Sequence, residues 1–426
     1  MKKTVNLQEM KKFDVPNFYR SDLISVVKAQ RAKEDRMKKD FSPTLLDLGN
    51  LRIYLARHFG FCYGVENAID IAFRTLAENL GKRVFMLSEM IHNPQVNADL
   101  EQLGVHFLQD TYGNQLIPFE SLTPNDIAII PAFGTTLEIE AKLDEIGIPT
   151  KKYNTTCPFV EKVWNRSAQI ATKGYSIVVH GKPRHEETRA TFSHASSHTA
   201  TVIVNDLDDA VELGRYITGE YPPEKFYRQF EGLYSKGFDV SKDLERIGVV
   251  NQTTQLASST LEISEYLRNL IKTHYGLDDS NVHTRFADTR DTLCYATNDN
   301  QSAVQGLMEK SREADFALVV GGYKSSNTSH LAEICEQYLP TYFINRPDRI
   351  VSDNTIFHCD WANKNELETT GYLPDKRPVT ILVTSGASCP DAIVENVIRR
   401  LAQLLHVEKQ LDELIVSMTE AENVTI

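Results

Sequence analysis

From residue 51 onward the chain repeats one pattern: a short apolar run rich in β-branched residues, a polar or glycine-containing turn, and a segment with helical periodicity. The runs that predict strands are residues 51–56, 84–87, 127–130, 176–179, 247–250, 316–320 and 380–383, with shorter ones near 150–153 and 342–344. Alternating strands and helices predict parallel sheets with helices on both faces. About nine such units exceed one sheet of usual size. We therefore expect an α/β fold of several small domains.

The turns after these strands carry polar residues suited to binding a ligand, and ligands of open α/β sheets bind beyond the carboxyl ends of the strands. Hydroxyl and amide groups at a helix start, with the free N–H groups there, can hold a phosphate or diphosphate. At a single turn a helix cap is the commoner role, but several turns together favour an anionic ligand. The candidates are His92, His185, Ser325, Ser326, Asn327 and Ser388. The chain has neither a P-loop nor a dinucleotide-binding glycine motif, so a nucleotide is not indicated.

The segment from His185 to Thr188 places a histidine two residues before the carboxylate of Glu187. The histidine could hold a phosphate while Glu187 supplies a proton to a leaving hydroxyl group, although such a turn alone is more often a solvated charged turn. Glu186 is expected to point elsewhere if the turn is extended. Thr253, in an Asn-Gln-Thr-Thr turn, could relay a proton or cap a helix, and caps are commoner.

Cys62, Cys157 and Cys294 each lie where a helix-like segment begins, and they are far apart along the chain. Three thiolates from three separate turns, with no close fourth ligand, indicate an iron–sulfur cluster with one iron open to substrate. A non-redox hydro-lyase that uses such a cluster as a Lewis acid fits the cysteines equally well. A binding or sensing protein with structural zinc would need a fourth ligand, and none is obviously placed for it. Of the other cysteines, Cys335 is expected in the core, and Cys359 and Cys389 are assigned no role.

Composition narrows the function classes further. The net charge of −12 disfavours a nucleic-acid partner, and no apolar run is long enough to span a bilayer. Six cysteines in 426 residues and no recognisable signal peptide favour a reducing compartment. The first 40 residues mix acids with bases, unlike a transit peptide, so a cytoplasmic protein is expected, or a stromal one if the source is a plant or alga. Residues 205–246 are interpreted as a surface excursion rather than a lid.

Taken together, these motifs resemble one family, 4-hydroxy-3-methylbut-2-enyl diphosphate reductase, the last enzyme of the methylerythritol phosphate route to isoprenoids. The resemblance runs in order from about residue 51 to 400 and covers these segments: GFCYGVENAI, IHNPQV, NTTCPFVEKVW, HGKPRHEET, VVNQTT, DTLCYATNDNQ, VVGGYKSSNTSHLAEI and VTSGASCPDAIVENVI. The N-terminal segment and the 205–246 excursion resemble the longer form of cyanobacteria and plastids.

The resemblance implies three small parallel-sheet α/β domains in a trefoil around a central iron–sulfur cluster. On this basis we expect an N-terminal extension (1–50), domain 1 (63–157), domain 2 (158–290), domain 3 (51–62 plus 291–402) and a C-terminal tail (403–426). One 4Fe–4S cluster per subunit would be held by the three cysteines, and ferredoxin or flavodoxin would supply the electrons. Glu187 would deliver protons, with Thr253 beside the hydroxyl carbon. The diphosphate contacts would be His92, His185, Ser325, Ser326, Asn327 and Ser388.

The chain departs from the family pattern in the turn after the strand at 127–130. Many short bacterial members have a histidine there, whereas this chain has Phe133. The diphosphate contact expected at that position is therefore absent, with Thr135 or Thr136 as candidates to replace it.

Overall fold

The computed structural model describes residues 13–287 and 292–424. The strands are β1 (Thr44–Asp47), β2 (Leu51–Leu55), β3 (Val84–Met86), β4 (Val105–Phe107), β5 (Ile127–Ile129), β6 (Ser176–His180), β7 (Thr201–Val204), β8 (Ile247–Asn251), β9 (Phe316–Val320), β10 (Thr341–Ile344), β11 (Thr355–Cys359), β12 (Glu366–Thr370) and β13 (Val379–Ser385).

The α-helices alternate with these strands over most of the chain. They are α1 (Asp22–Glu34), α2 (Tyr63–Glu78), α3 (Pro94–Gln102), α4 (Leu137–Ile146), α5 (Pro158–Ala171), α6 (Glu186–Ser196), α7 (Leu207–Ile217), α8 (Pro223–Gln229), α9 (Val240–Asp243), α10 (Ala257–Tyr275), α11 (Tyr295–Met308), α12 (Ser326–Glu336), α13 (Asp391–Leu404) and α14 (Glu408–Val424). Among the described residues, no helix is both long enough and apolar enough to cross a membrane.

Three larger sheets and one two-stranded antiparallel sheet, β11-β12, organise the described residues. The first sheet has the strand order β4-β3-β5, and the second has the order β7-β6-β8. All pairings in both are parallel. The central strands β3 and β6 are buried along their whole length, as expected for parallel strands covered on both faces. Small parallel sheets in an α/β fold therefore confirm the predicted fold class.

The third sheet has the order β1-β2-β13-β9-β10. Strand β13 pairs in parallel with both β2 and β9, so Leu51 lies opposite Val379. The edge strand β1 is antiparallel to β2 and comes from the predicted N-terminal extension. Each predicted α/β domain contains one of the three larger sheets, and predicted domain 3 also contains the β11-β12 pair. The domain boundaries themselves stay predictions.

Strand predictions agree with the structure in seven long runs and at β10, but the strand expected near residues 150–153 is wrong. That segment is a 3-10 helix (Thr150–Tyr153) after Pro149. The one adjoining bridge pairs Ile130 with Asn154. A four-residue segment with two lysines is too short and too polar for sequence patterns to distinguish a tight turn from a strand.

Two regions contain more structure than their sequence suggested. The tail from residue 403 contains helix α14, whose Leu411 is fully buried. The 205–246 excursion contains α7, α8 and α9, and the rings of Phe226 and Phe230 stack at 4.8 Å in the core beside the second sheet. Neither region lines the pocket described below.

Candidate active site

The three predicted cysteines occupy equivalent positions at one pocket. Cys62, Cys157 and Cys294 are the N-cap residues of α2, α5 and α11, and all three line the same cavity. Each is also tied by its backbone N–H to another pocket turn: the N–H groups donate to the carbonyls of Ala387 (3.2 Å), Ala132 (2.9 Å) and Thr253 (3.4 Å), respectively. The fold therefore brings together thiols that are far apart in sequence.

The surroundings of the thiols suit a bound cationic group. Burial raises the pKa of all three thiols, to about 12 for Cys157 and Cys294, and their mutual proximity adds to this increase at Cys157. A metal-containing cofactor stabilises the thiolate form and so displaces the thiol proton. The N–H groups at helix starts also stabilise the thiolate form. One of these donates to Cys294 Sγ from Thr297 at 3.3 Å. Gly64 leaves room for the Cys157 sulfur, which a Cβ at this position would overlap.

The geometry does not favour the zinc alternative. Within residues 13–287 and 292–424, no three Cys, His, Asp or Glu side chains surround a common point closely enough to bind one metal ion. A single zinc ion needs all its ligands within about 2.3 Å of one centre, whereas a cluster is bound through separate irons. The other cysteines, Cys335, Cys359 and Cys389, are buried and do not line the pocket.

Glu187 lies in the same pocket and is 1% exposed. Its Oε1 accepts a hydrogen bond of 2.5 Å from the backbone N–H of Thr253. Burial raises the pKa of Glu187 to about 7, against the lowering effect of the Thr253 hydrogen bonds. A carboxyl group with this pKa is protonated in a substantial fraction of molecules near neutral pH, which suits a general acid. Thr253 does not cap a helix, because α10 begins only at Ala257.

The predicted anion-binding turns meet at the pocket. Ser325 is the N-cap of α12, and Ser326 and Asn327 form its first turn. The Oδ1 atom of Asn327 accepts from the N–H of Ala387 at 3.0 Å, so this turn is joined to that of Ser388. The Asn327 Nδ2 is buried without a hydrogen-bond partner in the described part of the chain. It is thus a donor available to a ligand.

Two histidines and an aromatic ring form another corner of the pocket. His92 Nε2 lies 3.3 Å from His185 Nε2, and burial places the pKa of His185 well below its usual range. The Phe133 ring stacks on His92, with centroids 4.4 Å apart, and meets His185 edge to face. Phe133 therefore occupies the position of the missing histidine as a packing group. Thr135 and Thr136, suggested as replacements, do not line the pocket.

The sequence missed two contributors to this site. Gln252, fully buried, uses its Oε1 to accept from the Lys182 N–H and the Thr188 hydroxyl, and its Nε2 to donate to Ser326 Oγ at 3.4 Å. It thereby joins the second sheet to the start of α12. The other is Glu186, which begins α6 instead of lying in an extended turn, so the alternation expected for its side chain does not apply. Its position beside His92 gave no sequence signal.

The comparisons with known proteins agree on one family. A family model described as "LytB protein" matches residues 53–402. The 4-hydroxy-3-methylbut-2-enyl diphosphate reductase of Synechococcus sp. (strain CC9311) is 38% identical over 357 residues, covering 84% of this chain and 86% of that protein. The reductase of the same name from Prochlorococcus marinus (strain AS9601) is 35% identical over 388 residues, covering 89% of this chain and 94% of that protein.

Solved structures show the same fold. The structure described as (E)-4-hydroxy-3-methyl-but-2-enyl diphosphate reductase, the terminal enzyme of the non-mevalonate pathway, aligns with a TM-score of 0.50 at 24% identity, covering 82% of this chain and 99% of that chain. The E-1-hydroxy-2-methyl-but-2-enyl-4-diphosphate reductase from Plasmodium falciparum aligns with a TM-score of 0.58 at 21% identity, covering 82% and 87%.

Proposed function

The chain belongs to the LytB protein family, and we propose that it catalyses the reductive removal of the hydroxyl group of 4-hydroxy-3-methylbut-2-enyl diphosphate. The products would be isopentenyl and dimethylallyl diphosphates, the last step of the methylerythritol phosphate pathway. Two electrons and two protons enter, the C–O bond breaks, and water leaves. The observation that carries the proposal is one pocket lined by three helix-capping cysteines, a buried glutamic acid and the hydroxyl and amide groups of the anion-binding turns.

We assign the cluster ligands to Cys62, Cys157 and Cys294, because their thiols share the cavity and no fourth protein ligand accompanies them among the described residues. A 4Fe–4S cluster held there would supply the electrons one at a time and a Lewis-acidic iron for the hydroxyl group. Ferredoxin or flavodoxin is the expected source of these electrons.

The remaining pocket residues bind and orient the substrate. Ser325, Ser326 and Asn327, at the start of α12, would hold the diphosphate together with Ser388, since neutral donors at a helix N-terminus suit an anion. His92 and His185 would add contacts from the opposite corner. Fixing the diphosphate positions the allylic end of a short substrate against the cysteine wall.

Glu187 would provide a proton to the leaving hydroxyl group. Hydroxide leaves poorly, so the bond breaks more easily if the oxygen departs as water. The N–H of Thr253 holds the Glu187 carboxyl in place through Oε1, and the other oxygen is left to serve the substrate. Thr253 itself lines the cavity, where it would contact the substrate near the hydroxyl carbon.

The test is turnover by anaerobically purified protein with an artificial one-electron donor, followed by detection of both isoprenoid diphosphates. The proposal predicts a brown protein whose reaction stops without reductant. A hydro-lyase would instead release water from substrate without reductant, and a zinc protein would be colourless. Either result would overturn the proposal.

A further inference from the structure

A second carboxyl group, that of Glu186, lies against His92 outside the lining of the pocket. Its Oε2 is 3.4 Å from His92 Nε2, and the side chain is 5% exposed. Neither carboxyl oxygen makes a hydrogen bond of good geometry to another described residue. A buried carboxylate without partners is costly, so such a group either keeps its proton or faces a cation. The side chain that it faces is a histidine assigned to the diphosphate.

The proton arrangement of the two histidines follows from their hydrogen bonds. His185 Nδ1 accepts from the N–H of Glu187 at 3.2 Å, so the proton of the neutral ring is on Nε2. That Nε2 faces His92 Nε2 at 3.3 Å. Without a ligand, His92 Nε2 is therefore the acceptor, and the nearest carboxyl proton is that of Glu186.

We propose that Glu186 stores a proton for His92, and that the arrival of a diphosphate moves this proton from the Glu186 carboxyl group to His92 Nε2. The O–H bond of the carboxyl breaks and an N–H bond forms, which leaves a carboxylate beside an imidazolium and requires no other reactant. The imidazolium then attracts the diphosphate, while Glu186 balances its charge. Glu186 is on this view a positioning residue that acts through His92, and the inference rests on the diphosphate cradle of the proposed function.

The charges around the pair are consistent with this transfer. Burial raises the pKa of Glu186 to about 7; His92, the nearby Ser88 hydroxyl and Arg189 act in the opposite direction, and Glu89 acts in the same one. The stored proton is thus present below about pH 7 and lost above it. The groups that face the pair from the neighbouring elements are Ser88, Glu89, His185, Arg189 and Lys324.

Glu89 offers a matched control on the other side of the ring. Its Oε2 lies 3.5 Å from His92 Nδ1, but its Oε1 is already paired with Lys324 at 2.7 Å. Glu89 consequently remains charged, and its pKa is lowered by His92 and Lys324 against the effect of burial. It holds no proton to give.

The experiment is calorimetric titration of the anaerobic, cluster-loaded protein with inorganic pyrophosphate at about pH 6.5, in two buffers that differ in ionisation enthalpy. In wild type the proton moves internally. Glu186→Gln must take up about one more proton from solvent for each pyrophosphate bound and should bind roughly tenfold or more weakly, since an opposite charge at this distance shifts a pKa by about 1–3 units. The pyrophosphate's own titration is common to both proteins and cancels.

Three further measurements decide the result. Glu89→Gln should keep the wild-type proton count. In a His92→Asn background, Glu186→Gln should have no further effect on affinity, because the recipient of the proton is gone. In turnover, Glu186→Gln should raise KM with kcat largely kept. If Glu186→Gln keeps the wild-type affinity and proton count, the Glu186 inference is wrong but the proposed function still stands. If the wild-type protein does not bind pyrophosphate, the diphosphate-binding part of the proposed function is wrong.

Discussion

Two sets of three helices begin at or beside the pocket. The two sets are distinguished by the side chains at the helix starts. Helices α2, α5 and α11 have cysteines as N-caps. Helices α6 and α12 have His185 and Ser325, and α3 begins two residues after His92, which lines the pocket. Both sets share the same backbone feature: each helix N-terminus presents free N–H groups and the positive end of the helix dipole.

The difference lies in what each side chain adds to that positive end. In the proposed enzyme the thiols would become anionic and bind metal, so the helix starts would stabilise the ligands themselves. The hydroxyl, amide and imidazole groups stay neutral or positive and donate, so the helix starts stabilise the substrate's anionic group. The same helix-start arrangement is thus used on one side of the cavity for metal ligands and on the other for groups that donate to an anion.

Removing the thiols should have the largest effect. We expect Cys62→Ser, Cys157→Ser and Cys294→Ser to lose most of the bound iron and all measurable turnover, because a neutral hydroxyl is a poor replacement for a soft thiolate. Iron content and visible absorbance check this. The control variants are Cys335→Ser, Cys359→Ser and Cys389→Ser. They should leave iron content and visible absorbance unchanged. Normal iron in any of the first three variants would refute the assignment.

Glu187→Gln should come next, because Glu187, in the first turn of α6, is proposed to supply a proton rather than to bind metal or diphosphate. It keeps the shape of the side chain but removes the proton, so turnover should fall by roughly 100-fold or more with the cluster spectrum and pyrophosphate affinity retained. In wild type the acid form is present below the pKa of about 7 and lost above it. Turnover should therefore decline as pH rises through 7, and this limb should be absent in the variant. A near-normal rate would move the proton source elsewhere.

Asn327→Ala should weaken diphosphate binding by about 1–3 kcal/mol, the range for a lost hydrogen bond to a charged group. Its Nδ2 donor is buried and unpaired among the described residues. Affinity for the diphosphate substrate, compared with its dephosphorylated alcohol, is the measurement. Iron content should remain at the wild-type level, since Asn327 is not one of the proposed cluster ligands. Equal affinity of wild type for both ligands would contradict the cradle.

Ser326→Ala should have the smallest effect, about 1 kcal/mol in diphosphate affinity. The matched control is Ser329→Ala, one turn further along α12: both serines are buried, but only Ser326 lines the pocket. Ser329 instead donates to the Ser325 carbonyl at 2.9 Å. The same loss of affinity in both variants would indicate a general loosening of the helix rather than a contact with the ligand.

Much of the fold could be predicted because parallel strands buried on both faces leave continuous apolar runs, as in β6 and β9. Strands β1, β4, β7, β11 and β12 were not predicted. Except for the buried β7, these strands are partly exposed and lack a continuous apolar run. The cysteine positions were readable because the chemistry of a thiol at a helix start is local. The pairing of Glu186 with His92 was not, because it joins residues far apart in the sequence and depends on how the sheets pack.

The packing of Phe133 could not be inferred either. Its sequence position indicated only a missing polar contact, whereas the structure stacks the ring on His92. An aromatic face against an imidazole fixes the orientation of the ring, and the gain depends on geometry within a few ångströms. Residue type alone does not carry that information.

The pairing of β2 with β13 has a consequence for how the chain acquires its cofactor during synthesis. Leu51 pairs with Val379, so the third sheet closes only after nearly the whole chain has left the ribosome. Contacts of such high sequence separation form late in folding. Until then Cys62, which follows β2, and Cys294, which precedes β9, have been synthesised but are not yet held in place by the completed sheet. We expect truncation before Val379 to abolish iron incorporation, because the sheet that holds β2 beside Cys62 cannot close, while the first two sheets should still resist proteolysis.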